Sequence, residues 1–275
     1  MGIVLIVIIA CLLLFAGLYL LLIMPRVLHK ADASAFKNVL YAHRGLHDNA
    51  SAAPENSMAA FQKAVDAGFG IELDIQLTKD QVPVVFHDYS LKRVCGVDKL
   101  VCELTYEELM QYHLGNSDEQ IPKLEDVLSL VDGKVPLIVE FKGESVDTAL
   151  CPIADKLLRA YRGLYCIESF NPMIVYWYRR NHPEVMRGQL ADAFYSSKEK
   201  SGLLYFALEH LLLNCLAKPD FIAYNHKRPA KLSKTLCCKL FKSTAVAWTI
   251  QSEEQLPEAK KHFEIFIFDS FVPQK

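Results

Sequence analysis

The sequence predicts an α/β protein: a (β/α)8 TIM barrel with an inserted segment after its second strand, preceded by one N-terminal transmembrane helix. Three observations lead there. Eight short runs rich in Val, Ile, Leu or Phe alternate with helix-favouring stretches, the pattern of a parallel sheet buried on both faces. The chain has 275 residues, and once its leading apolar stretch is set aside the remainder matches the roughly 250 that such a barrel commonly takes. Finally, the polar residues with chemical potential fall within or at the carboxyl ends of the expected strands, where barrel enzymes keep their chemistry. An open doubly wound sheet would show the same alternation, so this last observation decides for closure.

Residues 3–23 form an uninterrupted apolar run without a charged side chain, ended by Met24-Pro25-Arg26. As a helix it would be about 30 Å long, the thickness of a bilayer's hydrocarbon core. A cleaved signal peptide would need a basic segment before a shorter apolar core and small residues at a cleavage site. Here only Met1 and Gly2 precede Ile3, and the first basic residue is Arg26. Residues 1–25 are therefore expected to be a retained single-pass anchor, followed by a polar linker over 26–38 and the barrel domain over 39–275. Arg26 and Lys30 after the helix place that domain in the cytoplasm by the positive-inside tendency. Eight cysteines at irregular spacing, two of them the adjacent Cys237 and Cys238, also suit a reducing compartment. No Cys-x-x-Cys or His-x-x-x-His spacing suggests zinc, so the cysteines read as small core residues. A net charge of −2 leaves no basic footprint for nucleic acid.

Within the domain, strands are expected over 39–43, 70–77, 136–141, 164–169, 185–190, 220–224, 245–250 and 264–269, and helices over 56–67, 147–161, 171–181 and 253–262. The connection from 78 to 135 is unusually long, with an insertion over about 78–120 that contains His87. Long ordered loops in compact domains are often functional.

Glu72 and Asp74 lie two positions apart on one expected strand and so project from the same face. Paired carboxylates repel unless a cation or proton lies between them. Either could serve a structural salt network with Arg44 or Lys142. With Glu140 at another strand end, the three make a hard oxygen set that suits Mg2+ or Ca2+. His43 and His87, delivered by neighbouring segments, add two imidazoles that titrate near neutral pH, and the whole reads as a metal-assisted acid/base site. Arg44 offers a planar fork for phosphate oxygens; Lys142, two places from Glu140, offers a compact charge. Gly45 permits a tight turn or close backbone approach. The other histidines have the ordinary structural reading, though His47 is close enough to His43 to watch. Trp248 is a pocket wall or core filler. The Leu-rich stretch 203–216, with Tyr205 and Phe206, is too short to cross a bilayer. It is a buried helix or, beside an anchor, a surface for lipid.

The ordered motifs resemble the glycerophosphodiester phosphodiesterases of the phospholipase-C-like superfamily. They are His43-Arg44-Gly45, Pro54-Glu55-Asn56-Ser57, Glu72-Leu73-Asp74 with Leu77-Thr78-Lys79-Asp80, and Val84-Val85-Phe86-His87-Asp88. Ile121-Pro122-Lys123-Leu124, Glu140-Phe141-Lys142, Ser169-Phe170-Asn171 and Ala247-Trp248-Thr249 extend the likeness over about 39–273. The resemblance implies that His43 and His87 are the catalytic pair, that Glu72, Asp74 and Glu140 hold the metal, and that Glu55 is a further ligand or a contact behind the ligands. It also implies Trp248 as a wall for glycerol, and initial attack by the glycerol hydroxyl to give a cyclic phosphate that water opens. The expected reaction is hydrolysis of glycerophosphodiesters to sn-glycerol 3-phosphate and an alcohol. Alternatives are hydrolysis of membrane lysophospholipids, or a silent headgroup-binding module, which would have no need of two proton-transfer groups. A sugar isomerase on the same barrel does not predict His-Arg-Gly with a second His on an inserted loop. Two departures, Ser57 where Thr is common and Phe268-Asp269-Ser270 before the final Pro273, leave headgroup preference open.

Overall fold

A computed structural model describes residues 2–143, 145–198, 201–228 and 231–274. Eight parallel strands close a barrel: β1 (Leu40–His43), β2 (Gly70–Leu77), β4 (Leu137–Phe141), β5 (Tyr165–Ser169), β6 (Arg187–Ala191), β7 (Phe221–Asn225), β8 (Thr244–Ile250) and β9 (Ile265–Phe268). Sequential strands pair with one another, and β1 closes the ring by pairing with both β2 and β9. A short β3 (Pro83–Val85) runs antiparallel to β2 and belongs to the insertion. The helices are α1 (Gly2–Ile23), α2 (Ser34–Lys37), α3 (Met58–Asp66), α4 (Lys92–Cys95), α5 (Tyr106–Leu109), α6 (Leu124–Val131), α7 (Leu150–Ala160), α8 (Pro172–Asn181), α9 (Leu203–Glu209), α10 (Asn214–Ala217), α11 (Leu232–Lys239) and α12 (Leu256–Ala259). All eight expected barrel strands form, with ends displaced by only one or two residues.

Two apolar layers result from the alternation of side chains along each strand. Residues facing outward join the helices in one large core that includes Leu73, Val139, Ile167, Ile222 and Phe268. Those facing inward, among them Tyr41, Ile138, Cys166, Phe221, Val246 and Ile267, fill the barrel, and Phe36 of α2 plugs its amino-terminal end. Gly188 is needed there: a Cβ on it would lie 2.0 Å from the Phe221 ring. The insertion has its own small core of Val84, Phe86, Leu91, Val101, Leu104, Leu109, Leu114 and Ile121.

Two helical expectations are corrected. The stretch 203–216 is not one buried helix but α9 and α10, broken where Leu211 takes φ +58°, and the outer side of α9 is exposed. The stretch 253–262 divides into a 3-10 turn over Glu253–Gln255 and α12. Pro257 has no N–H to give, which fits it only to the first turn of α12. In α1, residues 2–18 are all exposed, and only the last turn packs against the domain.

Candidate active site

The site is assembled by strand register. Asp74 of β2 is the partner of Glu140 on β4, which is the partner of Glu168 on β5, while Glu72 stands opposite His43. Acidic side chains from adjacent strands therefore point into the carboxyl-terminal mouth of the barrel. Oxygens of Glu72, Asp74 and Glu140 lie within 4.8 Å of one another, and all three residues are buried. Such a compact, all-oxygen donor set fits a hard divalent cation, which is the expectation for Mg2+ or Ca2+.

His43 ends β1, with its Nδ1 2.8 Å from Oδ2 of Asp269, just beyond β9, and its Nε2 4.0 Å from Oε2 of Glu72. His87 comes from the insertion and is fixed by backbone. The Phe86 N–H donates to the Asp74 carbonyl at 2.9 Å, and the Gln76 amide donates to the carbonyls of Phe86 and Asp88. His87 Nδ1 lies 2.5 Å from Oδ1 of Asp88. Each imidazole is thus oriented by one aspartate, and both are within electrostatic reach of Asp74.

The turn after β1 supplies the first cation. Arg44 and Gly45 have φ of +56° and +82°, and a Cβ on Gly45 would come within 2.9 Å of the Ala60 backbone, so the Gly is required. Arg44 donates through its backbone N–H to Glu72 at 3.1 Å and through Nη1 to Glu55 at 2.7 Å. Lys142 Nζ lies 2.8 Å from Asp74 and 2.7 Å from Glu140. Trp248 sits half-buried at the same mouth, edge-on to Phe170 with ring centroids 5.7 Å apart. Glu55 stands apart from the three-carboxylate group. Arg44, Arg93 and Asn49 all donate to its carboxylate, so it holds the cations from behind.

The model of the glycerophosphoryl diester phosphodiesterase family matches residues 43–231, more than half of the chain. The chain belongs to that family. A glycerophosphodiester phosphodiesterase of Bacillus altitudinis is 40% identical over 110 residues, 38% of this chain and 44% of that protein. A human lysophospholipase D is 39% identical over 123 residues, 44% of this chain and 38% of that one. The matched stretch thus spans less than half the length of either relative. Among solved structures, a phosphodiesterase of Oleispira antarctica, in complex with the product sn-glycerol-3-phosphate, has the same fold, with a TM-score of 0.69 at 24% identity over 86% of this chain and 94% of that one.

The phosphodiesterase family match contains both histidines and all the acidic residues above except Asp269, which lies beyond its end. Electrostatics separate these groups. Burial, together with the neighbouring Asp74, Glu140 and Glu168 charges, holds the Glu72 carboxyl well above the usual range. Burial also raises Asp74, but Lys142, His87 and Arg44 outweigh it and hold that carboxyl low. Burial and Asp74 raise Glu140, against the opposing pull of Lys142. For His43, burial is the largest influence and lowers the imidazole despite the hydrogen bond with Asp269. Burial opposes ionisation of Asp269 too, yet its contacts with His43 and His47 keep it anionic.

Several residues were not legible beforehand. Asp269 cannot be assigned from sequence alone, because its partnership with His43 depends on barrel closure between the first and last strands. Arg93 joins Asp88 to Glu55 and so ties the His87 pair to Arg44, across a fold that no spacing rule anticipates. Glu168 immediately precedes the Ser169-Phe170-Asn171 motif at a strand end; its position was the available signal. Asn56 donates to Asp74 at 2.9 Å from inside Pro54-Glu55-Asn56-Ser57.

Proposed function

We propose that the protein is a phosphodiesterase that hydrolyses glycerophosphodiesters to sn-glycerol 3-phosphate and an alcohol, with Mg2+ or Ca2+ held by Glu72, Asp74 and Glu140. The observation that carries this reading is the convergence of two aspartate-oriented imidazoles on one buried group of carboxylates. The bound cation would polarise the phosphoryl oxygens and offset their charge. His43, kept neutral by burial, accepts the proton of the attacking hydroxyl as the new O–P bond forms. His87, backed by Asp88, gives a proton to the departing alkoxide as the old P–O bond breaks, and water then opens the resulting cyclic phosphate as the two imidazoles exchange roles. Arg44 and Lys142 bring positive charge to the phosphate, and Glu55 fixes the Arg44 fork. Trp248 and Phe170 wall the glycerol side. Asn56 and Gln76 position Asp74 and the His87 segment. A silent headgroup-binding module would need neither imidazole.

A second reading, hydrolysis of lysophospholipids, is favoured by the exposed apolar side of α9 and by the likeness to a human lysophospholipase D. We infer that α1 is a single membrane span and, from Arg26 and Lys30 behind it, that the domain is cytoplasmic. The test is release of the headgroup alcohol from glycerophosphocholine, which leaves glycerol 3-phosphate, and from a lysophospholipid, which leaves lysophosphatidate. Release from neither substrate, with the cation supplied, would defeat both readings.

A further inference from the structure

The direction of α1 fixes which end of the barrel meets a membrane. Tyr19 lies near Ser233 in the first turn of α11 without a hydrogen bond to it, and one turn further along, the Ile23 carbonyl accepts from Cys237 Sγ at 3.2 Å and from the Asn214 amide at 3.1 Å. The Met24 carbonyl then accepts from Lys218, and the Arg26 N–H donates to the Pro219 carbonyl, immediately before β7. Because α11 descends from the carboxyl-terminal end of β7 to the amino-terminal end of β8, this order makes α1 descend with it. Its free part, residues 2–18, therefore leaves the domain on the side of the catalytic mouth. Those residues would be about 26 Å long as a helix, close to the minimum for a span. No spacer remains between the mouth and a bilayer.

The connections that flank α1 on that rim suit such contact. Leu203 and Leu204 of α9 are 83% and 57% exposed, and Leu232 at the start of α11 is exposed as well. The end of α9 is tied to the rim by Glu209, which accepts from the Ser196 N–H at 2.8 Å and pairs with Lys231. Lys227 and Arg228 on the loop after β7 are exposed, and cations at this level favour anionic headgroups. Exposure alone would not choose this face, since Leu28 and Leu240 are exposed at the opposite rim. The course of α1 does.

We propose that the catalytic mouth faces the bilayer crossed by α1, with Leu203, Leu204 and Leu232 seated in the interface, so that the site draws its phosphodiester from the membrane plane. This rests on α1 as a span. The test uses the full chain in vesicles of zwitterionic and anionic phospholipid with brominated acyl chains. After subtraction of the parent signal, the L204W variant should lose most of its emission to bromine and the L240W variant on the opposite rim little. The L203S/L204S double variant should lose about tenfold in kcat/KM on a vesicle-borne lysophospholipid, comparable to withdrawing a well-buried apolar group, and nothing on glycerophosphocholine. Failure of the chain to float with vesicles would overturn the span and the orientation together. Flotation with equal quenching at both positions would overturn the orientation alone. L204W emission that follows protein concentration rather than bromination would assign α9 to contact between copies and overturn the proposal.

Discussion

At the residue scale, the site pairs each imidazole with one aspartate, and single substitutions should separate proton transfer from support. His43→Ala and His87→Ala are each expected to lower kcat by about 10²–10⁴-fold with unchanged circular dichroism. Asp269→Asn removes the partner that raises the His43 pKa. Its acid limb in a kcat/KM profile, already below the usual imidazole value, should move further down, and kcat should fall with little change in KM. Glu168 presents a contrast: burial, with Glu140 and Asp74 beside it, holds its carboxyl protonated well above the ordinary range. Glu168→Gln preserves that neutral shape, so steady-state kinetics should change less than about threefold. Glu55 titrates the other way. Burial opposes its ionisation, but Arg93 and Arg44 bring the carboxyl down to about 2 from 4.5. Its stabilisation is complete above pH 4.5 and disappears as pH falls through about 2, amounting to about 3 kcal/mol. Urea unfolding between pH 6 and pH 3 should show a shallower acid loss in Glu55→Gln than in the parent.

At the element scale, strand register does most of the assembly, and this part was open to sequence reading. A period of two on 70–77 put Glu72 and Asp74 on one face, and the match of Asp74 with Glu140 follows once β2 and β4 are neighbours. What could not be read was closure-dependent: Asp269 reaches His43 because β9 pairs with β1, and Arg93 bridges two loops that the chain alone keeps apart. The Leu-rich stretch misled because periodicity cannot distinguish one buried helix from two short helices around a positive-φ residue, Leu211. The last turn of α1 behaves as part of the domain. Ile23 is wholly buried, so Ile23→Ala should cost about 2–5 kcal/mol in denaturant unfolding, whereas alanine at Leu12 or Leu13 should leave domain stability unchanged.

At the scale of the whole molecule, a closed barrel brings three carboxylates, two imidazoles and two cations to one mouth, and α1 leaves from the same side. The central claim is that this mouth hydrolyses a phosphodiester through a cation held by Glu72, Asp74 and Glu140. The most direct measurement is glycerol 3-phosphate release from glycerophosphocholine by purified protein treated with chelator, then resupplied with Mg2+ or Ca2+, with Glu140→Gln alongside. The account predicts no release after chelation, recovery with one of the two ions in the parent, and little or none in Glu140→Gln. Release that is indifferent to both the chelator and the substitution would contradict it.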